Sequence, residues 1–399
     1  MAQQAVILFV FGLQRLATQP VRCPLARQSS LRVMKKYLAF AFAFFFWSLQ
    51  LNLSAHADEP GTWGRLAPIP NRLGVAGPIA GTDGSSLIVA GGANFPDAPP
   101  WQGGKKVWHD RVYVLSDPDA QWRDTGTLAR PIGYAVCVSI PEGKGLGPGV
   151  AYFGGSDESR HYDEGWLLKW NEGRLEQSAL PALPRQCAQG CGALVGNTIY
   201  IAGGIETPNA TVAMHQFWGL ELDKRPLIWK ELETWPGPAR MLSVAASHDD
   251  AFYLCSGVKL SAGPDGKPVR TYLRDAYCYR PQKGWLRVAD LPRAAAAAPS
   301  PALNISQPDR KNSGFMILGG DDGCLADFRP LDQHPGFPKS ILSYDTKTDS
   351  WRSLGEQPAS HVTTSTVHWR DRLLIPSGEV RPGVRSAEVL FLTGELRSP

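Results

Sequence analysis

The string Ser377-Gly378-Glu379-Val380-Arg381-Pro382-Gly383-Val384-Arg385 sets a carboxylate a few residues before a guanidinium. A carboxylate beside arginines can accept a proton while the arginines bind a substrate's negative charge. Glu379 and Arg385 are therefore the candidate catalytic residues. In an ordinary surface loop the same pair would be a salt bridge of little energetic weight. What separates the two readings is position, and position depends on the rest of the chain.

More arginines recur at a regular place: Asn71-Arg72, Arg130-Pro131, Pro184-Arg185, Ala239-Arg240 and Pro292-Arg293. Gathered around one opening, such guanidinium groups would suit a carboxylate, which they can hold in a bidentate fork. Arg72, Arg130, Arg185 and Arg240, with Asn94, are the candidate substrate-binding residues. Each arginine could equally pair with backbone carbonyls or neighbouring acids. A corresponding sixth place carries Ser360-His361. Loops rich in acids supply the opposite charge through Asp97, Asp157, Glu158, Glu206, Asp321, Asp322 and Glu379.

The elements that must position these residues come from a repeat. An apolar run ending in Gly-Gly or Ser-Gly recurs at Gly91-Gly92, Gly154-Gly155, Gly203-Gly204, Ser256-Gly257, Gly319-Gly320 and Ser377-Gly378. Tryptophans at 63, 122, 170, 229, 285 and 351 alternate with them. Six of each predicts an all-β, six-bladed propeller of the kelch type, whose period is about 50 residues. In each blade the glycine pair should end the second strand, and the tryptophan should lie on the outer strand. The first of these landmarks is a tryptophan without a glycine pair before it. The last is Ser-Gly without a tryptophan after it. The two chain ends should therefore share one blade, which closes the ring and leaves no open sheet edge. Glu379 follows the last steep turn, so it should point into the mouth, and Arg385 can reach back to it.

The N-terminus is read separately. Met34-Lys35-Lys36, an apolar stretch over 37–53 and Ala55-His56-Ala57 form a secretory signal, expected at 34–57. Residues 1–33 read as a start called too early, and 58–399 as the propeller. Cleavage would leave the chain without a membrane anchor, in the periplasm or secreted. The leader holds six of the 41 basic residues and no acid, so 35 basic and 37 acidic residues remain. A net charge near −2 offers nucleic acid no basic field. Export permits disulfides among six cysteines, with Cys255 and Cys278 one candidate pair on neighbouring strands and buried free thiols, acting as small apolar residues, the alternative. No Cys/His spacing suggests a metal, and no cofactor is expected. The oligomeric state is open, a homodimer included.

With these residues in view, the chain resembles the cyclically permuted sialic acid mutarotase family, relatives of N-acetylneuraminate epimerase. The resemblance rests on Leu66-Ala67-Pro68, Gly74-Val75-Ala76-Gly77, the run Leu87 to Phe95, the stretch 96–115, and the string 378–385. The first two lie late in ordinary family members and early here. The resemblance implies that Glu379 is the proton acceptor and Arg385 part of the site. It implies interconversion of the α and β anomers of N-acetylneuraminate, or a related acidic sugar, through ring opening, without a cofactor. The long loops 93–110 and 321–339 could reshape the mouth for another acidic sugar.

Other readings compete. A copper enzyme would need linked histidines, and His109, His161, His215 and His361 show no linking pattern. The stretch Ser343 to Trp351 superficially resembles a sialidase motif but lacks its glycine. A propeller that only binds a glycan or a protein is the alternative from a different class, because fold alone does not decide function.

Overall fold

The computed structural model describes residues 61–306 and 313–394. The expected extension (1–33) and signal (34–57) lie outside the described residues. The described residues form six four-stranded antiparallel sheets, arranged as a six-bladed propeller. From the axis outward, blade 1 runs Ile79–Thr82, Leu87–Ala90, Arg111–Leu115, Arg123–Thr127. Blades 2 to 5 begin at the inner strands Val136–Ile140, Cys191–Val195, Val244–His248 and Leu303–Ser306. Blade 6 runs Val367–Trp369, Arg372–Pro376, Val389–Thr393, and its outer strand is Thr62–Leu66 from the other end of the chain. Trp63 stands opposite Leu392, and Leu66 opposite Val389. The closure expected from the alternating landmarks is thus present.

Apolar side chains on both faces of each sheet pack against the next blade. One such cluster joins Val138, Phe153 and Leu167 of blade 2 to Ile201, Trp218 and Trp229 of blade 3. Phe153 and Trp229 meet edge to face at 5.0 Å, a favoured aromatic geometry. Another cluster joins Val89 and Leu115 of blade 1 to Leu374 and Val389 of blade 6, across the closure.

Four of the five outer tryptophans add a polar tie, whereas the buried indole nitrogen of Trp63 has no hydrogen-bond partner among the described residues. A buried indole N–H needs an acceptor. Trp122 donates to the carbonyl of Ala67, Trp229 to Pro181, Trp285 to Glu233 and Trp351 to Ala289, each on the preceding blade. Trp170 departs from the expected pattern. It lies on the third strand of blade 2, Gly165–Asn171, and the outer strand Arg174–Leu180 carries no tryptophan. A tight turn at Glu172-Gly173, both with positive φ, carries the third strand on past Trp170 before the chain reverses.

Every glycine pair ends a second strand, as expected. Gly203 has φ +63°, and a Cβ there would lie 2.4 Å from the carbonyl oxygen of Arg240 in the next blade's entry loop. Glycine removes both the strain and the clash. Blades 4 and 6 use serine instead, at φ +55° (Ser256) and +58° (Ser377). Each hydroxyl accepts the next blade's backbone N–H, from Ala295 and Val75 respectively, at 2.8 Å. Each also reaches a carbonyl in its own blade, of Leu273 and Ser386, at 2.8 Å. The side chain that strains the turn also pins the blade junction.

The axis is closed by backbone alone. Gly77 donates to the carbonyl of Thr363, Tyr134 to Gly77, Gln189 to Tyr134, Leu242 to Gln189, Ala297 to Leu242 and Thr363 to Ala297, at 2.6–2.9 Å. All six residues have positive φ. These bonds form a complete ring, one residue per blade. The space it encircles is small, about 70 Å³.

The cysteine expectation is corrected. Cys255 stands opposite Ala276, and Cys278 opposite Tyr253. Diagonal neighbours across a sheet are ~7–8 Å apart, beyond disulfide reach. Both are free thiols, as are the other described cysteines.

Candidate functional site

The glycine ends of the second strands surround one mouth of the axis. The residue after each pair is Ala93, Ser156, Ile205, Val258, Asp321 or Glu379 around the ring. Each bridges, antiparallel, to the entry loop of its own blade, at Ala76, Gly133, Ala188, Met241, Ala296 and Val362. Glu379 is thus one of six equivalent positions, held by reciprocal 2.9 Å bonds between its backbone and that of Val362. Only Asp321 and Glu379 are acidic there, and they occupy neighbouring blades.

A returning segment lies on the far side of this position. It sets Trp108 opposite Ala93, His161 opposite Ser156, Tyr272 opposite Val258 and Arg385 opposite Glu379. Three of these side chains reach toward the next blade. The Nδ1 of His161 meets the carbonyl of Ile205 at 3.0 Å. The Tyr272 hydroxyl donates to Asp321 at 2.8 Å. Arg385 lies 4.7 Å over the ring of Phe95.

Arg385 differs from His161 and Tyr272 in what it finds, and the indole nitrogen of Trp108 is likewise buried without a hydrogen-bond partner among the described residues. The equivalent residue of the next blade is Ala93, which offers no side-chain acceptor. Its Nη1 is 3.4 Å from Oε1 of Glu379, an ion-pair contact without hydrogen-bond geometry. The side chain is 4% exposed, yet Nε and Nη1 have no hydrogen-bond partner among the described residues. Buried polar groups are normally paired, and an unpaired buried guanidinium is costly. Glu379 is 17% exposed, and Oε1 accepts the N–H of Gly383 at 2.7 Å. That bond holds the carboxylate through one of its two oxygens.

Two long loops brace this hairpin. A Cβ on Gly383 would fall 2.5 Å from Pro100, so blade 1's loop sits directly against it. Arg381 donates to the carbonyl of Asp332 in blade 5's loop at 2.6 Å. The turn is therefore rigid on both sides.

The structure brings Glu379 and Arg385 together. It places the other candidate binding residues differently. Arg240 is fully buried in the wall: it pairs with Asp275 at 2.6 Å, donates to the carbonyl of Ser256, and lies beside the rings of Trp235 and Tyr277. Desolvation pushes the Asp275 carboxyl up, but the Arg240 and Tyr277 hydrogen bonds prevail and hold it below its ordinary value. Arg130 pairs with Glu164 at 3.0 Å and covers the ring of Tyr162. Arg185 contacts Glu206 at 3.4 Å, and Arg72 is exposed. Asn94 is buried, donating to the carbonyl of Gly74 and to Asn71, with His109 on its Oδ1. It ties the blade 1 loop to its entry segment.

The histidines lie in different blades with separate surroundings. His109 meets Asn94, His161 the carbonyl of Ile205, His215 the carbonyl of Trp235, and His361 is fully buried. Among the described residues no group of three or more His, Cys, Asp or Glu side chains gathers as a metal site would require. The wider cavity, about 770 Å³, opens at the opposite ends of the inner strands, near Ser139, Asn304 and His368, away from Glu379.

Sequence reasoning missed Trp108, His161 and Tyr272 as a set. Their common place is visible only through strand pairing, because the loops before them differ in length.

No family model matches the chain. Among curated proteins it is similar to N-acetylneuraminate epimerase of Haemophilus influenzae (strain PittEE), 29% identical over 227 residues, covering 52% of this chain and 57% of that protein. It is 27% identical over 235 residues to the protein of the same name from Yersinia enterocolitica, covering 52% and 56%. A shorter stretch of 80 residues is 41% identical to that of Yersinia pestis (strain Pestoides F), covering 17% and 19%. The chain spans about half the length of the curated relatives it matches.

Proposed function

We propose that the protein is a sugar mutarotase that interconverts the anomers of N-acetylneuraminate or a closely related acidic sugar. The observation that carries this reading is the buried Arg385 guanidinium, with unpartnered N–H groups, held against the Glu379 carboxylate. The similarity to proteins named N-acetylneuraminate epimerase supports it. On this reading the sequence is a cyclic permutation of those relatives, consistent with blade 6 being completed by the N-terminal strand.

The chemistry needs one proton carrier. Glu379 takes the proton of the anomeric hydroxyl. The bond between the anomeric carbon and the ring oxygen breaks, giving a ketone and an alkoxide on the former ring oxygen. Glu379 returns the proton to that oxygen. Rotation about the bond next to the ketone presents its other face, and the steps reverse to close the ring. Proton and electron pair balance within the substrate and one carboxylate, and no cofactor takes part. Arg385 receives the sugar's carboxylate through its free N–H groups, a charge-assisted contact. Held this way, the reacting carbon is presented to Glu379 in a fixed pose, which is the main contribution of positioning.

The test is the rate at which freshly dissolved β-N-acetylneuraminate equilibrates, with wild type and with Glu379→Gln. Binding without acceleration by wild type would favour a propeller that only binds its glycan.

A further inference from the structure

Asp321 stands in blade 5 where Glu379 stands in blade 6. Both follow the turn that ends a second strand, Gly319-Gly320 and Ser377-Gly378, and their partners Ala296 and Val362 precede the directly bonded ring residues Ala297 and Thr363. Asp321 is partly exposed, and its two oxygens accept from Tyr272 Oη at 2.8 Å and the N–H of Gly323 at 2.9 Å. Tyr272 comes from the long hairpin of blade 4, Val258–Ala262 with Pro268–Tyr272. Its ring is clamped: a Cβ on Gly323 would fall 2.4 Å from it. Burial, and then the neighbouring Asp321, push the phenol up to about 12. Its proton therefore stays in place to serve Asp321.

The chemistry of this pair differs from that of Glu379 and Arg385. With the phenol proton committed to Asp321, the spare lone pairs of the phenol and the carboxylate are all acceptors. No arginine pairs with Asp321 among the ion pairs of the described residues. Arg270 lies near the phenol and partly offsets the negative charge, while the spare acceptor lone pairs take neutral donors, above all hydroxyls. The pair is also rigid before any ligand arrives, which limits the ordering cost of binding.

We infer that Asp321, oriented by Tyr272, is a specificity site that accepts hydroxyl groups of the sugar's polyol tail, one blade away from the reacting carbon. This assignment rests on the mutarotase reading. It gives the mouth two stations of opposite preference: Arg385 for the acid end and Asp321 for the hydroxylated end.

The test is calorimetric binding of N-acetylneuraminate and of its analogue shortened by periodate at the polyol tail. Wild type, Asp321→Ala and Tyr272→Phe are compared, with anomer equilibration measured in parallel. Loss of a hydrogen bond to a charged group weakens binding about tenfold or more. Asp321→Ala should therefore bind the full sugar about tenfold more weakly and the shortened one as wild type does. Tyr272→Phe, which keeps the carboxylate and the ring, should show a smaller change in the same direction. Equal weakening toward both sugars, or none toward either, overturns the assignment while wild-type activity still upholds the mutarotase reading. A wild type that binds neither sugar overturns both.

Discussion

The backbone N–H of Gly77 donates to the carbonyl of Thr363 at 2.6 Å, and this one bond joins the first blade to the last around the axis. Glycine is required at 77 because of its neighbour. A Cβ would fall 2.6 Å from both the backbone nitrogen and Cδ1 of Tyr134. Gly77→Ala adds left-handed strain and overpacking, and should cost about 2–4 kcal/mol. Urea unfolding of the variant checks this through its midpoint. An unchanged midpoint would mean the ring closes without that contact.

The Arg240–Asp275 pair makes a different prediction. Arg240 is wholly buried and Asp275 nearly so. Removing one partner strands a buried charge, and Asp275→Ala should cost about 3–5 kcal/mol. The protein that remains folded should still turn over the sugar with an unaltered KM, because Arg240 faces the wall. A raised KM in Asp275→Ala at full stability would instead put Arg240 in the binding site.

Acid should loosen the fold through His361. Burial pulls this imidazole down to about 4 from 6.5, Glu388 at 3.9 Å favours the charged form, and Arg65, paired with Glu388, opposes it. A base whose folded value is depressed binds more protons when unfolded between those two values. Stability contributed by neutral His361 is therefore complete above pH 6.5 and is lost as the pH falls toward 4. The slope of one such proton is about 1.4 kcal/mol per pH unit. His361→Gln should flatten the pH dependence of unfolding in that window. An unchanged slope would assign the acid sensitivity to other groups.

The blade count and the closure were legible because glycine pairs and tryptophans alternate along the chain, and each type has a single geometric use. That Glu379 and Arg385 would meet was legible for a related reason: they flank one short hairpin, so sequence distance stands for spatial distance. Trp170 misled because the third and outer strands of blade 2 lie so close in sequence that a tryptophan near their turn fits either. Arg240 was hidden because its partner Asp275 precedes the third strand, 35 residues on, and only strand pairing brings it back. Tyr272 and Asp321 were unlinked in sequence because their contact crosses from one blade to the next.

The central claim is that Glu379 moves the proton while Arg385 holds the acid. NMR of β-N-acetylneuraminate, dissolved from crystals and followed to anomeric equilibrium, tests it most directly. Positioned acid–base catalysis contributes about 10²–10⁴-fold. Wild type should therefore speed equilibration strongly, and Glu379→Gln should lose about that factor while still binding the sugar. A folded Glu379→Gln that equilibrates the anomers as fast as wild type would contradict the account.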